Sequence, residues 1–243
     1  MDLINVKDFK KSFGSKAVHK RVTFQVRAGE CLALIGGSGV GKSVILRSLI
    51  GLERPDEGRI NIDGQEITKM SENDLVDIRR KVAYVFQGGA LFDSMTVFDN
   101  LAYPLREHTQ FDEDEIAQKI HTQLSEFGLD GADQVYPSNL SGGMQKRVGL
   151  ARAMMMNPEI VLYDEPTAGL DPYNTKRIQE HILRLKARGV TSILVTHDMP
   201  TAFAVCDRLA FLLNGQIAAE GTLEEFQKDV HGIVGQFING EEP

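Results

Sequence analysis

Glu30–Ser43 reads ECLALIGGSGVGKS, and the fold turns on how that stretch is understood. ECLALIGG is a short apolar run ending in glycines, which fits a strand buried on both faces. From Ser43 to Ile50 the apolar residues Val44, Ile45, Leu46, Leu49 and Ile50 predict a helix, with Gly51 placed to end it. Between strand and helix, GGSGVGKS at Gly36–Ser43 matches G-x-x-x-x-G-K-[ST]. That context is the one a phosphate-binding P-loop requires. Gly36, Gly37, Ser38, Gly39, Val40 and Gly41 would let backbone N–H groups wrap a phosphate. Lys42 would reach the β- and γ-phosphates, and Ser43 would ligate Mg²⁺.

Working outward, Leu3–Phe9 and Ala17–Val26 pattern as strands, with Ala28-Gly29 as a turn. Asp63-Gly64 between two short strands signals a hairpin. KVAYVFQ, ending at Gln87, is a further buried strand. From about Gly88 to Met156 the pattern becomes helical. Asp112 and Glu115 form a capping box, Ile116, Ile120, Leu124 and Phe127 share a helical face, and Gly128 closes the helix. A second helix runs from about Gly142 to Met155 and stops at Asn157-Pro158. Strands and helices then alternate again. EIVLYDEP and VTSILVTHD read as strands, Asn174–Arg188 as a helix with Ile178, Ile182 and Leu185 inward and Gly189 beyond it. Asn214-Gly215 turns a hairpin, and Thr222–Glu225 is a capping box opening the last helix. The sum is one α/β domain over residues 1–243. Residues 1–87 and 157–243 form a P-loop nucleotide-binding core, and 88–156 form a helical insertion.

A P-loop needs an acid on its metal side. IVLYDEP supplies Asp164 at a strand's end to orient Mg²⁺ and its waters, and then Glu165 to polarise an attacking water. VTHD places His197 on the same sheet edge, where ligands of parallel sheets bind. Gln87 ends its strand by the same logic, positioned to sense metal or water. LSGGMQKR at Leu140–Arg147 sets Ser-Gly-Gly at a helix start, although glycine there costs about 1 kcal/mol against alanine. Small residues at an exposed helix N-terminus allow an anion to approach closely.

P-loop, Gln, Leu-Ser-Gly-Gly, Asp-Glu and His, in this order, resemble the nucleotide-binding subunits of ATP-binding cassette (ABC) transporters over nearly the whole chain. The resemblance implies a RecA-like mixed sheet with flanking helices and an N-terminal antiparallel β subdomain. It implies ATP hydrolysis with Mg²⁺ held by Ser43, Gln87 and Asp164. Glu165 is then the base, His197 the switch histidine and Gln87 the Q-loop residue. Ala168–Asp171 matches the D-loop. Ser141, Gly142, Gly143 and Gln145 belong to the signature, which acts on the partner's ATP in a head-to-tail homodimer. Phe13 aligns with the aromatic that stacks on adenine, where tyrosine is more usual, and Val18 packs beside the base.

The segment Phe86–Thr109 carries Phe92, Met95, Val97, Phe98, Leu101 and Tyr103, where this family docks a helix of its permease. Its wording is similar to the ATPases of the Mla/Mce lipid-transport systems. That likeness implies an MlaE-like permease, and beyond it an MCE-domain lipid-binding protein and a small regulatory subunit. It places the chain on the cytoplasmic face of the inner membrane, moving phospholipid or other apolar molecules across a bacterial envelope. An importer of small polar solutes and an ABC ATPase outside transport are the alternatives.

Composition narrows these readings. The chain has 243 residues and a net charge of −7, with no heptads, which argues against a nucleic-acid partner. Glu165 and His197 argue against a scaffold without turnover. Two cysteines, Cys31 and Cys206, lie outside metal-ligand spacing and read as buried thiols. Met154, Met155 and Met156 read as helix packing. The N-terminus has no signal-peptide pattern and no apolar run is long enough to span a bilayer. The ending GQFINGEEP suggests no room for a regulatory domain.

Overall fold

A computed structural model describes residues 2–228, 231–239 and 241. The sequence expectation about the chain's end falls partly on residues outside these. A long antiparallel hairpin, β1 (Asp2–Phe13) and β2 (Lys16–Arg27), turns at Gly14. It continues past the expected strand limits and so carries Phe13 to the hairpin tip. β3 (Cys31–Ile35) enters the glycine loop, and α1 (Lys42–Leu49) leaves it. β4 (Glu57–Ile62) and the two-residue β5 (Gln65–Glu66) flank the Asp63-Gly64 turn.

α2 (Glu72–Lys81) was not anticipated, although its signal is present: Ser71 and Asp74 form a capping box. β6 (Val82–Val85) follows, then α3 (Val97–His108), α4 (Glu113–Glu126) with the expected Asp112–Glu115 box, and α5 (Gly142–Met154). Next come β7 (Ile160–Asp164), α6 (Pro172–Ala187) and β8 (Thr191–Val195). α6 begins two residues before the expected start because the Asp171 side chain caps it. α7 (Met199–Val205) leads to β9 (Arg208–Leu213) and β10 (Gln216–Thr222), which pair through the Asn214-Gly215 turn. α8 (Leu223–Lys228) starts at the Thr222–Glu225 box, and α9 (Ile233–Ile238) was not foreseen.

The strands form one ten-stranded sheet in the order β5-β4-β1-β2-β10-β9-β3-β8-β7-β6. Its half from β9 to β6 is parallel, and β5, β4, β1 and β2 are antiparallel. β3, β7 and β8 are buried along their whole length, as strands covered on both faces must be. Their alternation feeds two cores. Cys31, Ala33 and Ile35 pack with Leu101, Ile120 and Val148 of the helical segment. Leu32 and Leu34 pack with Ile4, Phe24, Ile45 and Leu49 on the other face. Thus α3, α4 and α5 share a core with the parallel sheet. The two cysteines, remote in sequence, meet beneath β3 with their sulfurs 3.4 Å apart.

Candidate nucleotide site

Register aligns the chemistry. Leu34 lies opposite Val195, Val195 opposite Asp164, and Tyr163 opposite Val85. The glycine loop, Gln87, Asp164-Glu165 and His197 therefore emerge together at the C-terminal edge of the parallel strands. The glycine loop, Gln87, Glu165 and His197 border a cavity of about 830 Å³, and Asp164 lies behind Ser43, outside its lining. Its loop wall is formed by Gly36, Gly37, Ser38, Gly39, Gly41, Lys42 and Ser43. Gln87, Glu165 and His197 face that wall, and Phe13 and Val18 lie at the far side. Val40 is the exception within the loop, because its side chain packs back onto the apolar core.

The loop's geometry explains its residues. Gly41 sits at φ 97°, in the left-handed region, and a Cβ there would lie 2.5 Å from Val18 Cγ1 and 2.6 Å from His19 Nε2. His19 is buried, its Nε2 is 3.1 Å from the Gly41 carbonyl, and burial pushes its pKa down, favouring the neutral ring. Lys42 Nζ donates to the carbonyls of Gly36 and Gly37 at 2.8 and 3.0 Å. Burial lowers the Lys42 pKa, while Glu165 and then Asp164 pull it back up. A buried ammonium beside a glycine cradle is suited to phosphate, which supplies compensating charge. Arg47 extends the basic wall.

The acids are held separately. Asp164 accepts from Ser43 Oγ at 2.7 Å and from the Tyr84 hydroxyl at 2.8 Å. Burial, with the negative charge of Asp164, pushes the Tyr84 phenol up and keeps it a donor. Hydroxyl, carboxylate and amide oxygens at Ser43, Asp164 and Gln87 are the hard donors Mg²⁺ takes. Glu165 is left-handed at φ 50°, with its N–H donating to the Val195 carbonyl. Its carboxylate accepts from Thr196 Oγ1 at 3.2 Å and lies 2.9 Å from His197 Nδ1. Phe13 is 46% exposed, with Lys11 Nζ 5.1 Å from the ring centroid, so it is a presented aromatic and no core residue.

The signature stands apart. Ser141 caps α5 through Met144 N, and Ser141 and Gly142 are exposed, but none of Ser141, Gly142, Gly143 or Gln145 lines the cavity. Gln145 turns inward and donates to the carbonyls of Pro137 and Leu140, so its side chain braces its own loop. Asp171 caps α6 and holds Asn174, which packs against Gly143. Sequence reasoning missed Tyr84, Thr196, Lys146 and Arg152. Lys146 donates to the carbonyls of Ala168 and Pro166, tying α5 to the loop after Glu165. Only its place in the quoted signature could have flagged it.

A parallel sheet with a P-loop, a strand-end Asp-Glu pair and a displaced Ser-Gly-Gly helix defines an ATP-hydrolysing cassette. The model of the ABC transporter family matches residues 19–168, and the chain belongs to that family. It is 43% identical to the probable ribonucleotide transport ATP-binding protein Mkl of Mycobacterium leprae, over 98% of this chain and 69% of the relative. It is 37% identical to the intermembrane phospholipid transport system ATP-binding protein MlaF of Haemophilus influenzae, over 99% and 91%. A dimeric ATP-binding cassette solved in a post-hydrolysis state with ADP and Pi superposes with a TM-score of 0.85 at 30% identity, covering 90% of this chain and 98% of that one. The chain binds ATP and is an ATPase of the cassette type. Among the described residues no helix is long and apolar enough to cross a membrane.

Proposed function

We propose that the chain is the motor subunit of an ABC transporter that moves phospholipid, working as a homodimer beneath a membrane permease. The observation that carries this reading is the separation of parts. The ATP cavity holds Lys42, Glu165 and His197 but no signature residue, so a second copy must bring Ser141 and Gly142 to the γ-phosphate. The exposed α5 N-terminus, with its dipole and free amides, is suited to that anion.

In such a dimer Glu165 accepts a proton from water, its orientation fixed by Thr196 and His197. Lys42 and the loop amides stabilise the phosphate charge. Bound Mg²⁺, held by Ser43 and Asp164 with Gln87 beside them, would neutralise charge building on the β- and γ-oxygens.

Phe86, the residue before Gln87, borders a second cavity, of about 500 Å³, whose lining also includes Phe92, Tyr103 and Met156. Phe92 and Tyr103 are each 43% exposed, their rings tilted against each other with centroids 5.3 Å apart, whereas Val97 and Leu101 belong to the core. This apolar groove beside the nucleotide sensor is suited to a permease helix on the cytoplasmic face. The MlaF relatives favour phospholipid as cargo, consistent with an MlaE-like permease and an MCE-domain lipid carrier. A second reading, a small polar solute, is favoured by the ribonucleotide named for the Mkl relatives.

The test is reconstitution of the chain with its detergent-co-purified permease in liposomes carrying labelled phospholipid and an encapsulated labelled nucleotide. ATP-driven lipid movement, lost in Phe92→Asp with ATP binding retained, is the expected result. Movement of the nucleotide alone leaves the transport reading standing and removes the lipid one.

A further inference from the structure

The short loop after Gln87 is strained, and one half-buried cation holds it. Gly89 and Ala90 are consecutive left-handed residues, at φ 77° and 47°. For Ala90 that conformation is disfavoured by its Cβ. Their carbonyls both accept from Arg152 Nη2 of α5, at 3.2 and 2.8 Å. Arg152 Nη1 donates to Asn100 Oδ1 at 3.3 Å. Asn100 is fully buried; its Oδ1 also accepts from Phe92 N, and its Nδ2 donates to the carbonyls of Phe92, Met95 and Thr96. The Arg152 guanidinium lies 5.4 Å from the centroid of the Phe92 ring.

Two further contacts fix the same loop to the same helix. A Cβ on Gly149 would lie 2.7 Å from Gly89 Cα, and a Cβ on Gly89 would lie 3.1 Å from the Gln145 carbonyl. Gln145, Gly149 and Arg152 fall at i, i+4 and i+7, on one face of α5. That face is a rail carrying the loop, and the helix's other end is the signature.

The geometry points to Arg152 as a positioning residue that locks the loop after Gln87 to the signature helix, so that groove and signature move as one body. Resting on the composite-site reading above, this places the coupling between docked permease and partner ATP in a single guanidinium fork. A fork satisfying two successive carbonyls and a buried amide oxygen holds a geometry that no single ammonium reproduces. Without it, Ala90 relaxes out of the left-handed region and the loop keeps only its backbone packing on α5.

The experiment uses the purified chain carrying Glu165→Gln, in which slowed hydrolysis is expected to let ATP-bound dimers accumulate. Arg152→Met in this background is expected to weaken ATP-driven dimerisation, read by sedimentation, about tenfold. Affinity of the monomer for a fluorescent ATP analogue should stay within about twofold, since Arg152 lies outside the nucleotide cavity. Adding Ala90→Gly, which removes the strain the fork opposes, should restore most of the dimerisation. Arg152→Lys serves where Arg152→Met does not fold, with a smaller loss and the same rescue. Equal dimerisation in wild-type and Arg152 variants overturns the proposal, as does a parallel loss of analogue binding. Failure of the Glu165→Gln chain itself to dimerise with ATP removes the composite-site reading and this inference with it.

Discussion

Glu165 combines two properties that rarely coincide in an ordinary surface acid. Its backbone is left-handed, and its carboxylate is held between Thr196 and His197 in a largely buried position. A strained conformation held at a cavity edge keeps a base aimed where relaxed geometry would let it swing away. Glu165→Gln keeps the shape and the Thr196 bond but cannot take a proton. It should lower steady-state ATP turnover about 10²–10⁴-fold, the range for removing a general base, with nucleotide affinity retained. Turnover near wild type, measured by phosphate release from the purified chain, would rule out the assignment. The acid itself was legible because it follows an apolar strand and an aspartate. Its strain and its partner Thr196 were not, because neither backbone dihedrals nor contacts across strands have a local sequence signature. Tyr84 was hidden for the same reason: its role depends on β6 lying beside β7.

Most legible elements were those a local rule decides, although the Ser71–Asp74 capping box of α2 was passed over. The glycine loop, the Asp112 and Thr222 capping boxes and the Asn214-Gly215 turn all rest on neighbouring residues. α2 and α9 escaped because they are short or carry few apolar residues, so packing decides them more than periodicity. α6 illustrates what packing adds. Its inward face was read as Ile178, Ile182 and Leu185, yet His181 is buried with them and stacks on Phe127 of the helical segment at 4.0 Å. Burial, with Arg184, Arg147 and Arg177 nearby, depresses the His181 pKa from 6.5 to about 4. The folded chain therefore holds this ring neutral, while the unfolded chain protonates it below its ordinary pKa. Between pH 6.5 and about 4 the unfolded state binds the extra proton, and stability falls with acidification across that window. Melting temperatures recorded across the window should fall less steeply for His181→Phe, which keeps the ring stack and removes the titration. Parallel slopes for the two chains would assign the acid sensitivity to other groups.

At the scale of the whole molecule, one sheet edge gathers the ATP-facing groups while α5 presents its signature elsewhere, and no conformational adjustment of side chains would bring Ser141 into the cavity it does not line. The composite-site proposal assigns the missing signature to a second copy, and it can be tested by separating the lesions. Lys42→Ala removes the buried cation from a chain's own cavity. Gly142→Asp introduces an anion at the exposed signature; an added Cβ there meets no heavy atom within 4 Å, so the substitution carries no steric penalty. An aspartate at a helix N-terminus also suits the helix dipole, which removes unfolding as an explanation. It repels only an anion approaching from outside. Each variant alone should be nearly inactive. In an equal mixture, half of the dimers pair one chain of each kind, and each of those has one site built from an intact P-loop and an intact signature. The mixture should therefore regain up to about a quarter of wild-type ATPase activity, if sites act independently in a two-fold dimer. Activity should also rise more steeply than linearly with protein concentration until dimerisation saturates. A mixture no more active than the mean of its two components would mean that each chain completes its own site, and the cavity would then have to acquire Ser141 by a rearrangement of the helical segment that shares its core with the sheet.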